Sequence, residues 1–147
     1  MNKVLIIGLS VFLLFACKKD DVDALNQEEI EKFIGEHNLP AKSTGSGLYY
    51  VIDEEGTGDR PKSNSDVKVR YNGYFTDGKL FDQSTTGITF NLQGVIDGWT
   101  EGIPLFKEGG KGMLLIPSKL GYGDRSVGSI PPNSVLIFDI ELMEVIN

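Results

Sequence analysis

Apolar and polar residues alternate with a period of two along much of the chain, as they do in β-strands that bury one face. In residues 67–71 and again in residues 138–142, every second side chain is apolar and the side chains between them are charged. Turn-forming sequences rich in glycine separate such stretches, for example at residues 55–58 and 107–110. This pattern predicts an antiparallel sheet of about five strands.

Residues 97–103 interrupt the alternation. Asp97 is a suitable N-cap residue and acidic side chains follow it, so we predict a short helix here. This helix must cover one face of the sheet, and we expect a gap between the two layers where aromatic side chains converge. The predicted fold class is therefore α+β: a twisted antiparallel sheet wrapped on one short α-helix, preceded by a short N-terminal helix.

The N-terminal helix is predicted at residues 26–35, with Asn26 as its cap. Ile30, Phe33 and Ile34 share one face of it. This apolar stripe can pack on the domain or on a second copy of the chain, and ordinary packing on the domain is the simpler interpretation.

The length of 147 residues suits one domain with a short appendage. Residues 40–47 have the composition of a linker, so we predict that the domain spans residues 45–147 and that residues 17–44 precede it as a linker containing the short helix.

The composition excludes several classes of function. Asp and Glu number 21 against 14 Lys and Arg, and a net charge of −7 makes the chain a poor candidate for binding a nucleic acid or an anionic membrane through a basic face. His37 and Cys17 are the only His and Cys, which argues against most metal sites and against Ser-His-Asp or Cys-His catalysis. We expect no metal, cofactor or nucleic-acid partner.

The first residues have the pattern of a secretion signal. Lys3 precedes an uncharged run at residues 4–16, which is shorter than the roughly 20 residues of a spanning helix. Residues 14–17 (Leu-Phe-Ala-Cys) resemble the bacterial lipobox. The resemblance implies that residues 1–16 are a removed signal peptide and that Cys17 carries acyl chains such as palmitate. The alternative is an uncleaved signal anchor with an incidental Cys.

Residues 18–23 are charged, and the Lys-Asp-Asp at residues 19–21 looks like the surface-export tag of lipoproteins in some Gram-negative bacteria. A solvated linker is an equally good interpretation. The expected location is the cell envelope, with the chain lipid-anchored to a membrane. The outer membrane is favoured, with surface exposure as a further option.

Six motifs resemble, in order, the FKBP family of peptidyl-prolyl cis-trans isomerases. They are residues 69–74 (Val-Arg-Tyr-Asn-Gly-Tyr), 78–84, 90–99 (ending in Asp-Gly-Trp), 121–123 (Gly-Tyr-Gly), 130–133 (Ile-Pro-Pro-Asn) and 136–142. Any one of these motifs would be weak, but six in family order are specific.

The resemblance implies a proline-binding pocket with Trp99 at its floor. The expected catalytic residues are Tyr71, Phe81, Asp82, Val95, Ile96, Trp99, Tyr122 and Phe138. The substrate-binding residues are expected to be Ile88, Phe90 and Ile130. In this assignment Asp82 lies at the rim, and the Ile96 N–H and the Tyr122 hydroxyl bind carbonyl groups of the ligand. The ordinary alternative is that the aromatic residues are simply core and that Asp82 is a turn residue.

The expected activity is peptidyl-prolyl cis-trans isomerisation of proline-containing polypeptides, with macrolides such as rapamycin as further ligands. Two departures bear on ligand preference: Ile88 stands where many members have Phe, and no Arg lies between Asp82 and Phe90. A binding module or chaperone with little turnover is the second hypothesis. An acid-dependent hydrolase using Asp82 is the third, and it lacks a second assigned carboxylate.

Overall fold

The computed structural model describes residues 18–146. The helices and strands are α1 (Lys18–Glu36), β1 (Lys42–Ser43), β2 (Tyr49–Glu54), β3 (Asp66–Tyr74), β4 (Leu80–Asn91), α2 (Asp97–Gly102), β5 (Lys111–Ile116) and β6 (Leu136–Ile146). Two short 3₁₀ turns, Ile103–Leu105 and Ser118–Leu120, follow α2 and β5.

The strands form one antiparallel sheet in the order β1-β2-β5-β6-β3-β4. The predicted α+β class, with its sheet, short helix and N-terminal helix, is confirmed. The described chain has six strands rather than about five because Lys42 and Ser43 pair with the start of β2 and add an edge strand. The sheet therefore begins within residues 40–47, which we predicted to be a linker, and before Gly45.

Alternate residues of β5 show how the sheet separates two cores. Leu114 and Ile116 face a core that includes Trp99 of α2, Phe106 and Phe138. Leu115 points to the opposite face, because side chains alternate along a strand. The sheet is therefore covered on both faces, by α2 on one and by α1 on the other.

Helix α1 packs its apolar stripe on the outer face of the sheet. Ile30 is fully buried and Phe33 is 5% exposed, and both lie in one cluster with Leu115, Val135 and Ile137. Of the two predicted docking surfaces for this stripe, the chain's own sheet is the one observed.

Helix α1 begins at Lys18 rather than near Asn26, so the placement of its start was wrong. Asp20 and Asp21 occupy the first turn, where the helix dipole favours negative charge. Asp23 lies 3.4 Å from the Lys119 ammonium, which ties this part of α1 to the domain. Asn26 is not a cap, because its side chain is buried against other segments.

Helix α2 lies where it was predicted but is capped differently. Asp97 is the first residue of the helix, and Ile96 occupies the N-cap position without a side-chain hydrogen bond. Asp97 still places a negative charge in the first turn, as expected.

The predicted signal peptide at residues 1–16 and the predicted lipidation site at Cys17 lie outside the described residues. Between residues 18 and 146, none of the helices is both long and apolar enough to cross a membrane.

Candidate active site

A cavity of about 810 Å³ lies where β3, β4, β6, the segment leading into α2, and the loop after β5 meet. Ten of the eleven residues that the sequence assigned to the pocket line it: Tyr71, Phe81, Asp82, Phe90, Val95, Ile96, Trp99, Tyr122, Ile130 and Phe138. Residues more than 65 positions apart in sequence are thus brought to one concave surface.

Trp99 lies at the centre of this aromatic surface. Its ring is surrounded by Tyr71, Phe90 and Phe138 at centroid distances of 5.1, 5.4 and 5.3 Å, each within about 10° of perpendicular. These edge-to-face contacts are favourable for aromatic rings. The indole is only 4% exposed but still lines the cavity, so it presents an apolar surface to a ligand without lying in open solvent.

The wall beside Trp99 depends on a glycine in β3. Phe81 and Phe138 meet edge to face at 5.5 Å. A Cβ on Gly73 would come within 2.8 Å of both rings, closer than packed atoms allow. The absence of a side chain at Gly73 therefore lets the two rings close the wall.

At the rim, the Tyr71 hydroxyl donates a hydrogen bond of 2.7 Å to Asp82 Oδ2. The backbone N–H of Gln83 donates to the other carboxylate oxygen at 2.9 Å. Burial, followed by the hydrogen bond to Asp82, raises the pKa of Tyr71 well above its usual value. The phenol therefore remains a neutral donor, and the pair fixes the orientation of the Tyr71 ring beside Trp99.

The backbone at Ile96 supplies a hydrogen-bond donor at the cavity. Its carbonyl accepts from the N–H groups of Trp99 and Thr100 at 2.9 and 3.2 Å, which begins α2. The Thr100 hydroxyl also donates to the Leu92 carbonyl at 2.5 Å and so holds the preceding segment against the helix. Within residues 18–146 the Ile96 N–H has no acceptor of its own, so it is available to a carbonyl group bound in the cavity.

The loop between β5 and β6 forms the opposite side. Tyr122 and Ile130 line the cavity from it, and the Tyr122 hydroxyl makes no hydrogen bond to another described residue. The Tyr122 hydroxyl is thus a second group that can bind a ligand carbonyl.

Ile88 is the one assigned residue that does not line the cavity. It lies on the edge strand β4 opposite Val69 and is 44% exposed. The β3–β4 register shifts between Val69 and Tyr71, where residues 85–87 form an irregularity in β4. The resemblance to the family assigned Ile88 to the pocket, and a resemblance in sequence takes no account of this shift.

Sequence reasoning missed Arg125, which lines the cavity from the β5–β6 loop. The sequence analysis noted only that no Arg lies between Asp82 and Phe90. The position of Arg125 between Tyr122 and Ile130 was the signal that could have placed it. Arg125 is exposed and forms no ion pair with a described acidic residue.

Across residues 18–146, no cluster of His, Cys, Asp and Glu is suited to hold a metal ion.

The profile of the FKBP-type peptidyl-prolyl cis-trans isomerase domain matches residues 58–143, more than half of the chain. FkpA of Escherichia coli K12, described as an FKBP-type peptidyl-prolyl cis-trans isomerase, is 47% identical over 128 residues. That match covers 85% of this chain and 47% of the relative, so the chain spans about half the length of the curated relatives it matches.

Two solved structures are similar in fold. The crystal structure of Escherichia coli FkpA superposes with a TM-score of 0.76 at 46% identity, covering 86% of this chain and 60% of that one. A peptidyl-prolyl cis-trans isomerase from Pseudomonas syringae pv. tomato gives a TM-score of 0.75 at 38% identity, covering 86% of this chain and 96% of that one. Sequence and fold agree over the same region, and the chain belongs to the FKBP-type peptidyl-prolyl cis-trans isomerase family.

Proposed function

We propose that this chain is a peptidyl-prolyl cis-trans isomerase that acts on polypeptides folding outside the cytoplasm, and that a lipid on Cys17 holds it at a membrane. The observation that carries the proposed activity is one open cavity lined both by Trp99, which three rings surround, and by Ile96, whose backbone N–H has no acceptor among the described residues.

The reaction requires no bond to break. Rotation of a peptide bond costs about 18–20 kcal/mol because amide resonance is lost in the twisted state. An X-Pro bond has only a small preference between cis and trans, yet it exchanges in tens to hundreds of seconds. A catalyst therefore has to stabilise the twisted amide relative to the planar one, and needs neither a nucleophile nor a cofactor.

The aromatic cavity favours the twisted amide over the planar one by removing water from the bound peptide bond. A planar amide is strongly dipolar and is stabilised by water, whereas the twisted amide is less dipolar and loses less when water is removed. Binding against Trp99, Phe81 and Phe138 therefore destabilises the ground state more than the transition state. A reduction of the barrier by about 5–7 kcal/mol corresponds to four to five decades in rate.

Hydrogen bonds orient the chain during rotation. The prolyl ring would rest on Trp99, while the Ile96 N–H and the Tyr122 hydroxyl bind carbonyl oxygens on either side of it. With the ring and these carbonyls held, rotation about the X-Pro bond becomes the remaining motion. Asp82 shapes the pocket through Tyr71 and transfers no proton in this mechanism.

The test is a protease-coupled isomerisation assay with the full chain and a short X-Pro peptide. We expect acceleration over the uncatalysed rate, and competition by rapamycin, which we propose occupies the same cavity. Phe90→Leu, which alters the cavity wall, should lower kcat/KM by about tenfold for a loss of about 1.4 kcal/mol of transition-state binding. Phe106→Leu is the matched control, because Phe106 is buried in the core and does not line the cavity.

Peptide binding without acceleration would overturn the isomerase proposal in favour of a binding module. Equal losses in the two variants would show that activity follows core packing rather than the cavity, and would overturn the assignment of the site.

The anchor is supported by the sequence of residues 1–17 and is tested separately. We expect cells that express the chain to incorporate labelled palmitate into it, and Cys17→Ser to abolish the label and to release the protein from the membrane fraction. Labelling that persists in Cys17→Ser would overturn the proposed site of lipidation.

A further inference from the structure

Helix α1 carries one buried polar side chain, that of Asn26, which is 4% exposed. Both ends of its amide are used: Nδ2 donates to the Asn133 carbonyl at 3.1 Å, and Oδ1 accepts from the Ser118 backbone N–H at 2.8 Å. Because a buried amide is costly unless both groups are paired, this position is built for those two bonds rather than for apolar packing.

The two partners of Asn26 are the two ends of the loop that forms one side of the cavity. Ser118 lies just before Tyr122, and Asn133 lies just after Ile130. Asn26 therefore joins α1, on the outer face of the sheet, to both stems of the β5–β6 loop.

Hydrogen bonds within the loop complete a closed ring with Asn26. The Gly123 N–H donates to the Ser118 carbonyl at 2.8 Å, and the Asn133 N–H donates to the Gly123 carbonyl at 2.7 Å. Asn133 has a φ of +61°, the left-handed conformation that Asn tolerates better than most residues, and this turns its carbonyl toward Asn26. Within this ring, Asn26 is the only member that lies outside the loop.

Asn26 is not the only residue that docks α1 on the domain. Ile30 and Phe33, one and two turns further along the helix, are buried against the sheet and hold α1 in place. The bonds of Asn26 therefore add a buried link between the two stems of the loop, beside the backbone bonds through Gly123.

We propose that Asn26 is a positioning residue of the isomerase site. By holding Ser118 and Asn133 together, it keeps Tyr122 and Ile130 at the cavity, so that α1 is part of the substrate-binding apparatus. This inference rests on the proposed function, but the geometry of the loop can be tested without it.

The kinetic test compares Asn26→Ala with Ile30→Val in the full chain. Ile30→Val weakens the apolar packing of the same helix and leaves both hydrogen bonds from Asn26 to residues 118 and 133 in place. We expect Asn26→Ala to displace Tyr122 and so to weaken its hydrogen bond to the bound peptide. The loss of one such bond, about 1.4 kcal/mol, raises KM for an X-Pro peptide by about tenfold, and kcat should change much less. A purely structural role would reduce the folded fraction, which lowers apparent kcat and leaves KM unchanged.

A conservative variant provides the rescue. Asn26→Asp keeps the acceptor for the Ser118 N–H but, when ionised, has no proton to donate to the Asn133 carbonyl. Protonation restores the donor, so KM of Asn26→Asp should fall toward that of the original chain as the pH is lowered, while KM of Asn26→Ala should not. The same pH dependence in both variants would overturn the proposal.

Hydrogen exchange gives a readout that does not need activity. We expect amides of residues 118–133 to exchange faster in Asn26→Ala and to keep their rates in Ile30→Val. Unchanged exchange in this loop, or equal KM values in the two variants, would overturn the role of Asn26. A third outcome separates the two proposals. If the original chain has no isomerase activity, and residues 118–133 still exchange faster in Asn26→Ala, the proposed function is overturned and the structural role of Asn26 stands.

Discussion

At the scale of single residues, the site combines buried rings with a few free donors. Trp99 Nε1 is buried and has no hydrogen-bond partner within residues 18–146. A buried donor without an acceptor costs about 1–3 kcal/mol. Trp99 therefore gives the cavity an apolar ring whose own polar group is left unsatisfied by the described residues.

Tyr122→Phe tests the contribution of a hydroxyl that no described residue uses. Since the hydroxyl makes no internal hydrogen bond, we expect an unchanged melting temperature. The loss of one hydrogen bond to the bound peptide, about 0.5–1.5 kcal/mol, should lower kcat/KM by roughly two- to tenfold. Thermal denaturation and the protease-coupled assay measure the two effects. Unfolding of this variant would show that the hydroxyl supports the fold.

Phe138→Ala should behave differently because Phe138 serves both core and cavity. Its side chain is 4% exposed and contacts Tyr71, Phe81 and Trp99. We expect a loss of about 3–5 kcal/mol in the free energy of unfolding, measured with urea, together with a loss of isomerase activity. Retention of full activity in the folded fraction would exclude Phe138 from the binding surface.

At the scale of elements, β3 depends on a close approach at Gly73. In Gly73→Ala the new methyl group would meet the rings of Phe81 and Phe138 at 2.8 Å and push the cavity wall outward. We expect about 1–3 kcal/mol of destabilisation, measured with urea, and reduced kcat/KM. Gly35→Ala in α1 is the control, because nothing lies within 4 Å of its Cβ position; it should leave activity unchanged and stabilise the helix slightly.

Strand β6 carries a half-buried carboxyl at Asp139, which accepts a 3.0 Å hydrogen bond from the Tyr74 hydroxyl. Burial, with a smaller effect from the charge of Asp53, raises the pKa of Asp139 above its usual value, although the bond from Tyr74 acts in the opposite direction. The folded state therefore binds this proton more tightly than the unfolded chain. Stability from this group is present below the usual aspartate pKa of about 3.9 and is lost as the pH rises through the higher folded value.

Asp139→Asn should consequently melt at a higher temperature than the original chain at pH 7, because the ionised group is removed while an acceptor for Tyr74 remains. The difference should shrink as the pH approaches about 4 and should disappear below it. Thermal denaturation at a series of pH values measures this. A difference that does not vary with pH would mean that the charge of Asp139 is not the cause.

The elements differ in how well the sequence predicts them. Strand β3 and residues 138–142 of β6 alternate with a period of two because one face lies in the main core, so their placement was correct. The start of β6 is buried on both faces, since Ile137 lies in the core under α1. Strand β4 lies at the sheet edge and is irregular, which hid the true position of Ile88. The start of α1 could not be predicted either, since the buried role of Asn26 depends on Ser118 and Asn133, about 90 and 107 residues further along the chain.

At the scale of the whole molecule, the sheet needs a cover on each face. We predicted a domain that starts at Gly45, yet a fragment of residues 45–147 would lack β1 and α1 and would leave Leu115, Val135 and Ile137 uncovered. Each buried side chain of the size of Ile30 or Phe33 contributes about 1.5–3 kcal/mol. We expect this fragment to melt well below the full chain and to aggregate, as measured by light scattering. A fragment as stable as the full chain would show that α1 is dispensable.

The residues that line the aromatic cavity, by contrast, could be predicted almost completely, because they fall in six motifs whose order is that of the family. The motifs do not contain two contributions: Arg125 lies between two of them in the β5–β6 loop, and Asn26 comes from the helix on the far side of the sheet.

The first turns of α1 lie beside the loop that bears Tyr122, with Lys19 and Asp23 lining the same depression as Gly123 and Asp124. Within the described residues, α1 runs without a break from Lys18 into its contacts with the domain. If Cys17 carries the lipid proposed above, the described part of the chain offers no flexible spacer between that residue and the cavity. The proposed isomerase would then act close to the lipid surface, on polypeptides that reach its cavity there.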